Sequence, residues 1–406
     1  MTSPRRRPLH AQLHDVSTLL TEHHGLWSPR PFREEVTWPL QFPAWAEWML
    51  ALDDNALDVA ESDLRLAPTV PVDLRALQTA VDDACVLPSL AAQFSLPLPA
   101  QKRRVRGRKW QQIRHFLTAL HPDLQVKTPL SVLDWCAGKA HLSRALRDAR
   151  QEAFDAATDI LAVDVDDVLL DDAAEAGAQT CCCDVLRGVP EAVAAGRHML
   201  ALHACGALSD VAIHTAIEEG ADSLHVVGCC YYKHHLTYVP RSDAADAYGV
   251  DFTSGDLHLP VTDETVASPA DKAHRRRAME YRAGLDALLR THLDKEGYTS
   301  TPAMPKTVFQ DGFARFVRHM NERCGFQLPA TAFGEGALDA ALQDGCHHVA
   351  RARRLGVVRG VFRRLVEVFI ALDRALLLEE AGFNVDIGVF CSRDITPRNI
   401  LLRAHR

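Results

Sequence analysis

No stretch of this 406-residue chain is apolar over a length that could span a membrane. Its first residues, Met-Thr-Ser-Pro-Arg-Arg-Arg, also lack the apolar core of a secretory signal. We find no internal repeat and no low-complexity tract. The sequence therefore predicts a cytoplasmic globular protein with no membrane partner, and its length allows two domains or one large decorated domain.

The eleven cysteines lack the spacings that are typical of disulfide frameworks or zinc sites. Several are adjacent, at 181–183 and 229–230, and adjacent cysteines make poor disulfide frameworks, so we expect reduced thiols. None of the cysteine and histidine groups has the Cys-x-x-Cys spacing of a zinc site, so no metal is predicted. The net charge of −8 argues against a surface that binds polyanions everywhere, although local basic patches can oppose it.

A turn of small residues follows the first predicted strand, residues 131–133, and precedes an amphipathic helix. A strand, a tight turn and a helix N-terminus open a nucleotide-binding βαβ unit. The turn contains a single glycine, Gly138, which disfavours a dinucleotide and favours a smaller adenosyl ligand such as S-adenosylmethionine. The alternative is an ordinary strand-to-helix turn that binds no ligand. The positions predicted to contact the ligand are Asp134, Cys136, Ala137, Gly138 and Ala140.

Acidic residues end the next two predicted strands. Residues 160–165 carry Asp164 near their end, with Asp166 two positions later, and residues 180–183 lead into Asp184. A carboxylate at the second strand end is where such folds bind ribose hydroxyls, so Asp164 or Asp166 is predicted there. Asp184 is predicted to accept from the adenine amino group. The alternative is that all three are solvated loop acids.

The fourth and fifth predicted strands end in reactive side chains. Residues 198–202 lead into His203-Ala-Cys-Gly206, and residues 224–227 lead into Gly228-Cys-Cys-Tyr231. The carboxyl ends of parallel strands are where ligands and catalytic groups gather. His203, Cys205, Cys230 and Tyr231 are therefore the candidate catalytic residues, and His203 is also a candidate donor contact.

Three motifs resemble a family of class I S-adenosylmethionine-dependent methyltransferases: Asp-Trp-Cys-Ala-Gly-Lys-Ala-His-Leu, Leu-His-Ala-Cys-Gly and Gly-Cys-Cys-Tyr. That family includes the glutathione-S-transferase-C-terminal-domain-containing protein and methyltransferase-like relatives. Thr396-Pro-Arg-Asn399 is similar to its closing motif. The resemblance implies a Rossmann-like seven-stranded sheet and S-adenosyl-L-methionine as methyl donor, and it does not name the acceptor. Ala140 stands where glycine is expected; its methyl is predicted either to narrow the pocket near the donor's amino-acid end or to be tolerated there.

Methyl transfer needs alignment of the acceptor and, for a weak nucleophile, a base. His203 is the candidate base. The alternative is a structural histidine whose ring is hydrogen-bonded to the backbone at a strand end. Tyr231 is the candidate clamp for a planar acceptor. Cys205 and Cys230 resemble in position the cysteine pair of RNA cytosine-C5 methyltransferases, although Ala204 replaces the proline of that family; the alternative is a structural role for both thiols.

A basic segment precedes the predicted methyltransferase core. It is a phosphate-contact element or the solvated face of a helix that caps the donor site. We predict RNA as the acceptor, a protein side chain as the runner-up, and a non-catalytic donor-binding scaffold as the rival class. The cations concerned are Lys102, Arg103, Arg104, Arg106, Arg108 and Lys109.

The predicted architecture is an α/β fold in four segments. Residues 1–100 form a mainly helical N-terminal region, and residues 101–240 the first part of the methyltransferase core. Residues 241–355 form a helical insertion after the fifth strand, and residues 356–406 the closing helix and antiparallel hairpin. Four tryptophans of the N-terminal region, Trp27, Trp38, Trp45 and Trp48, are predicted to be core or interface residues.

Overall fold

The computed structural model describes residues 7–90, 96–99, 105–233, 237–263 and 266–406. The chain divides into two compact units. The first contains Met1–Glu22, Val81–Val266 and Arg363–Arg406, and the second contains His23–Ala80 and Ala267–Phe362.

The first unit is built on a seven-stranded sheet of order β3-β2-β1-β4-β5-β9-β8. Strands β1 to β5 pair in parallel, and β9 pairs antiparallel with both β5 and β8. This confirms the predicted Rossmann-like sheet and its closing hairpin. The strands are β1 Leu130–Trp135, β2 Thr158–Asp164, β3 Gln179–Cys182, β4 His198–Cys205, β5 Ser223–Cys229, β6 Thr237–Tyr238, β7 Phe252–Thr253, β8 Asn384–Val389 and β9 Ile400–His405, with β6 and β7 forming a separate pair.

The central strands are short apolar segments, because helices cover both faces of a parallel sheet and bury its side chains. Val132 and Leu133 of β1 are completely buried. In chain order the α-helices of the described residues are α1 Leu9–Glu22, α2 His24–Trp27, α3 Trp38–Gln41, α4 Pro43–Ala51, α5 Asp54–Ser62, α6 Val72–Ala84, α7 Gly107–Thr118, α8 His141–Phe154, α9 Asp167–Glu175, α10 Ala207–Glu219, α11 Asp243–Asp246, α12 Pro269–Leu293, α13 Phe313–Cys324, α14 Glu335–Leu355, α15 Val357–Val361 and α16 Arg363–Glu380.

Two helical features differ from the sequence-based expectation. The apolar stripe of residues 357–381 predicts one closing helix, which in the structure is interrupted at Phe362 into α15 and α16. Helix α1 is not among the predicted helices, although its residues Leu13, Val16 and Leu20 share one buried face. Within the described ranges, no helix combines the length and apolar character needed to cross a bilayer.

The N-terminal 100 residues do not group as one unit. Helix α1 belongs to the first unit, where Gln12 Nε2 donates to the carbonyls of Ala84 and Val86, each at 2.9 Å. The chain then lies along the edge strand β8, where Val389 exchanges backbone hydrogen bonds with Pro88 and Leu90. These bonds explain why the chain after residue 80 groups with the sheet, whereas residues 23–80 group with 267–362.

The second unit is helical. Trp27, Trp38 and Trp45 are buried in it, and the half-buried Trp48 donates its indole N–H to the carbonyl of Pro68 at 2.9 Å. These side chains are structural, as the sequence predicts. Helices α12 and α13 contribute to a hydrophobic cluster that contains Leu285, Leu289, Phe309, Phe316 and Met320.

A buried histidine lies between the central strands and the segment before β1. His225 of β5 is completely buried, and its Nε2 accepts from the backbone N–H of His121 at 3.0 Å, so this imidazole is neutral. Burial lowers the pKa of His225 well below its ordinary value of 6.5. The neighbouring charged and titratable groups act in the same direction, namely Arg403, His121, His198 and His405.

This environment predicts acid sensitivity of the first unit. The unfolded chain binds a proton at His225 near pH 6.5 and the folded chain does not, so stability is complete above that pH and falls as the pH is lowered. His225→Gln, which keeps an acceptor, should reduce the slope of unfolding free energy against pH by up to about 1.4 kcal/mol per pH unit. Urea denaturation at a series of pH values from about 5 to about 7.5 measures this slope.

The control is His10→Gln, at an exposed position of α1, which should leave the slope unchanged. An equal slope in the His225→Gln protein and the unsubstituted protein would show that this histidine contributes nothing to acid sensitivity.

Candidate active site

The turn after β1 is held in an unusual backbone conformation. Cys136, Gly138 and Ala140 have φ values of 54°, 53° and 50°, all in the left-handed region. A Cβ at Gly138 would meet nothing nearer than Leu169 Cδ1 at 3.8 Å, so space remains beside this backbone. A ligand can therefore approach the main chain closely here, as the small residues predict.

Ala140 does not line a pocket. It is completely buried in a hydrophobic cluster with Ile160, Ala162 and Leu170. Its methyl therefore fills the core behind the turn, because the left-handed backbone directs Cβ toward β2. This corrects the expectation that the Ala140 side chain narrows the donor pocket.

Asp134 connects the end of β1 to the helix after the turn. One carboxylate oxygen accepts from the hydroxyl of Ser143 at 2.6 Å and from its backbone N–H at 3.2 Å. Burial raises the pKa of Asp134 from its ordinary 3.8 to about 6, against the opposing effect of the Ser143 hydrogen bonds and of the positive charge of Lys109. Asp134 is thus a positioning residue for the N-terminal turn of α8.

Asp164 and Asp166 have different partners. Asp164 accepts from the backbone N–H of Gly138 at 2.8 Å and from that of Asp166 at 3.0 Å. Asp166 instead caps α9 by accepting from the backbone N–H of Leu169 at 3.1 Å. The carboxylate that bonds to the turn is therefore that of Asp164, whereas the carboxylate of Asp166 is engaged at the start of α9.

Asp184 follows β3 on the same edge of the sheet. It accepts from the backbone N–H of Leu186 at 3.1 Å and forms an ion pair with the exposed Arg187 at 3.2 Å. The N–H of Cys183 donates to the carbonyl of Asp164 at 3.0 Å, which brings the ends of β2 and β3 together.

His203 lies at an irregularity in β4. Its φ is 63°, and the register with β5 shifts between Leu202 and Ala204. Its Nε2 lies 3.3 Å from Oε1 of Gln112 on α7. Burial lowers the pKa of His203 from its ordinary 6.5 to about 4, so the ring is neutral at neutral pH.

Two cations act on this histidine. The negative charge of Cys230 raises the pKa of His203, whereas the positive charges of Arg398 and Lys109 lower it further. Arg398 and Gln112 are not among the predicted site residues, although Thr396-Pro-Arg-Asn399 stands out as a motif. Gln112 gives no sequence signal of its own.

Three thiols meet at the ends of β4 and β5, and we term Cys205, Cys229 and Cys230 the thiol cluster. Their sulfurs all lie within 4.8 Å of one another, and Cys205 Sγ is 3.2 Å from Cys229 Sγ. Hydrogen bonds from Cys205 and then Cys229 lower the pKa of Cys230. The sequence nominates Cys205 and Cys230 and misses Cys229, whose position in the buried strand favours a core role.

Tyr231 is buried and cannot stack on an acceptor. It is 2% exposed, and its hydroxyl donates to Glu367 Oε1 at 3.2 Å. This corrects its assignment as a clamp. The next residue, Tyr232, is half-buried and stacks on the exposed His258 with ring centroids 4.3 Å apart.

The basic segment is described only in part. Lys102, Arg103 and Arg104 lie outside the described residues. Arg106 precedes α7 and is exposed, and Arg108 Nη1 donates to the carbonyl of Val266 at 3.2 Å. The opposite face of α7 packs into the core through Trp110, Ile113, Phe116 and Leu117. Helix α7 therefore lies against the core, and the positive charge of its exposed Lys109 lowers the pKa of both Asp134 and His203.

Residues 108–236 match the family model described as a methyltransferase domain. The matched residues contain the turn after β1, the acids of β2 and β3, and the thiol cluster. This segment is a methyltransferase domain. The chain therefore carries the domain of an enzyme that transfers methyl groups. No solved structure shows a significant match to the chain.

The Asp134–Ser143 pair of this methyltransferase domain predicts a stability effect. Ser143→Ala removes the hydroxyl that donates to a buried carboxylate, so it should cost about 1.5–3 kcal/mol at neutral pH, where a hydrogen bond to a charged group is lost. The cost should shrink at about pH 4, because Asp134 is then protonated in the folded protein. Urea denaturation at both pH values measures this difference.

Ser131→Ala is the matched control, because this half-buried serine of β1 makes no bond to Asp134. Its cost should stay within about 0.5 kcal/mol. An equal cost of Ser143→Ala at the two pH values would contradict the assigned role.

Proposed function

We propose that the protein is an S-adenosylmethionine-dependent methyltransferase whose acceptor is RNA. The closer relationship to the family of the glutathione-S-transferase-C-terminal-domain-containing protein is part of this proposal. The donor would supply a methyl group on a sulfonium, and the residues of this chain would orient it and the acceptor. The acceptor part of the proposal is carried by one observation, the cations around the ends of β4 and β5.

The donor part rests on the turn at 136–140 and on Asp164. The turn leaves backbone accessible beside Gly138, and Asp164 lies against that backbone through a 2.8 Å hydrogen bond. Each carboxylate oxygen has a second lone pair, so Asp164 can accept from ribose hydroxyls while it holds the turn. Asp184, on the neighbouring strand, remains the proposed adenine contact.

The acceptor part rests on Lys109, Lys233 and Arg398. The positive charges of Arg398 and Lys109 lower the pKa of His203, and those of Lys233 and Arg398 lower the pKa of Cys230, so the three cations contribute positive potential at the same strand ends. Among the described residues, none of the three has a carboxylate partner within ion-pair distance. These cations and the partly exposed aromatic pair of Tyr232, which precedes Lys233, and His258 suit a phosphate backbone with an unstacked base.

His203 would help to align the acceptor. Its neutral ring can accept a proton, and its lowered pKa makes it a weak base at neutral pH. Nitrogen acceptors with a free lone pair need alignment more than a strong base, because the sulfonium is already activated. We therefore favour a nitrogen or oxygen atom of a nucleotide over an unactivated carbon.

Donor binding is tested with variants of the turn. Asp164→Asn removes the charged acceptor and should weaken S-adenosylmethionine binding by roughly tenfold to a hundredfold, the equivalent of about 1.5–3 kcal/mol. Gly138→Val should abolish binding, because φ of 53° is strained for a β-branched residue. Isothermal titration calorimetry with donor and with S-adenosylhomocysteine measures both.

Asp166→Asn is the matched control, since asparagine can still cap α9 and donor affinity should remain within a few-fold. The donor assignment fails if the unsubstituted protein gives no heat with either ligand. Donor binding without any methyl transfer to RNA or protein would favour the scaffold alternative.

RNA binding is tested through its salt dependence. Replacement of Lys109, Lys233 and Arg398 by glutamine should reduce the slope of log affinity against log salt by about 0.7–0.9 for each phosphate that the protein no longer neutralises. Fluorescence anisotropy with a structured RNA at several salt concentrations gives this slope. Lys295→Gln, at an exposed lysine of the helical unit, is the control and should leave the slope unchanged.

Isotope-labelled methyl transfer into lysate from a deletion strain, separated into RNA and protein fractions, then identifies the acceptor class. Label confined to protein, with RNA binding that is absent or insensitive to salt, would transfer the proposal to a protein acceptor.

A further inference from the structure

The backbone of β4 brings together thiols that its sequence spacing keeps apart. Before His203 the strands pair as Leu202 with Val227, and after it they pair as Ala204 with Gly228 and Cys205 with Cys229. One residue of β4 is therefore left over at His203, which has a left-handed backbone. Paired residues on parallel strands point to the same face, so this irregularity sets the two sulfurs side by side.

The turn after β5 adds the third sulfur. Cys230 also has a left-handed backbone, with φ of 46°. The turn can pack on the end of β4 because Gly206 has no side chain. A Cβ at Gly206 would lie 2.7 Å from the backbone carbon of Lys233. One member of the thiol cluster, Cys230, and the nearby His203 are thus non-glycine residues in strained conformations, and such strain concentrates at functional positions.

We propose that the thiol cluster binds one thiophilic divalent cation of the Zn²⁺ type through three thiolates. Zinc–sulfur bonds of about 2.3 Å in a tetrahedral site place sulfurs about 3.8 Å apart. The sulfurs of Cys205 and Cys229 are 3.2 Å apart, and all three lie within 4.8 Å of one another. Small side-chain rotations therefore bring all three to bonding distance of one ion.

Charge favours the bound state. Three thiolates and one divalent cation sum to one negative charge, and each cysteine that is still protonated releases its proton as it binds. Lys233 and Arg398 already act electrostatically on Cys230, so positive charge is in place to balance the site. The thiols make weak bonds, Cys205 with Cys229 at 3.2 Å and each of these two to the carbonyl of His203, at 3.6 Å from Cys205 and 3.3 Å from Cys229.

No described residue supplies a fourth ligand to the thiol cluster. Within the ranges that the structure covers, no histidine, aspartate, glutamate or further cysteine joins the three sulfurs as a close group of ligand atoms. Cys229 is buried, whereas Cys205 and Cys230 are partly exposed, so the fourth coordination position lies on the accessible side. Three protein ligands with an exchangeable fourth are typical of a catalytic rather than a structural zinc site. Water or a heteroatom of the methyl acceptor would occupy it.

Metal content tests this inference independently of methyl transfer. The full-length protein, purified under reducing conditions, is stripped with a chelator, reloaded with Zn²⁺ and examined by native mass spectrometry and elemental analysis. One ion per chain is expected. Reloading with Co²⁺ should give the intense sulfur-to-cobalt absorption of a tetrahedral thiolate site.

Substitutions identify the ligands. Cys205→Ser and Cys230→Ser should weaken zinc binding by more than about tenfold, the loss typical of removing only an outer partner of a metal site. Cys324→Ser, in the helical unit, is the control and should retain one ion. Cys230→His keeps a ligand, so it should retain the ion with a weaker and shifted cobalt band even if the serine variants fold poorly.

Several results would overturn the inference. The inference fails if the unsubstituted protein does not bind stoichiometric zinc. It also fails if zinc binding is unchanged in Cys205→Ser and Cys230→Ser. A mass two hydrogens below that of the reduced chain, lost on Cys205→Ser, would show that Cys205 forms a disulfide within the cluster instead. Calorimetry with S-adenosylmethionine on the same preparations distinguishes the two proposals. Donor binding without zinc binding would contradict only the zinc site, whereas absence of donor binding would contradict the proposed function.

Discussion

Left-handed backbone at the strand ends is the constraint on which the active-site edge depends. Each of the strands β1, β4 and β5 leaves the sheet through at least one residue of positive φ. Cys136, His203 and Cys230 are not glycines, so these conformations cost free energy that surrounding bonds must offset. At β1 the offset comes from Asp164, which accepts from Gly138, and from Asp134, which holds Ser143.

The edge is divided electrostatically. Carboxylates end β1, β2 and β3, on the side that we assign to the donor. Cations surround the ends of β4 and β5, where Lys109, Lys233 and Arg398 contribute positive charge. A cationic donor and an anionic acceptor would each find the complementary sign, which favours the two reactants in their proper positions.

Helix α16 fixes the chain as it leaves β5. Its Asp373 accepts from the backbone N–H groups of Arg241 and Ser242 and from the hydroxyl of Tyr238. The buried Arg374 beside it binds Asp210 of α10 at 2.6 Å. Loss of one partner from such a buried pair leaves an uncompensated charge, so the network holds α10, α16 and the segment after β5 in one arrangement. Tyr231 belongs to this support rather than to the acceptor site.

The sequence by itself determined the sheet, the closing hairpin and the place of the small-residue turn after β1. Strand periodicity, acids at strand ends and small residues are local properties, so 131–138, Asp164 and Asp184 could be located without tertiary contacts. Whether Asp164 or Asp166 faces the turn was decided only by the capping of α9. Ala140 and Tyr231 were misassigned because burial depends on what packs against a residue from distant segments. The thiol cluster needed the register shift at His203, a non-local property that no cysteine spacing encodes.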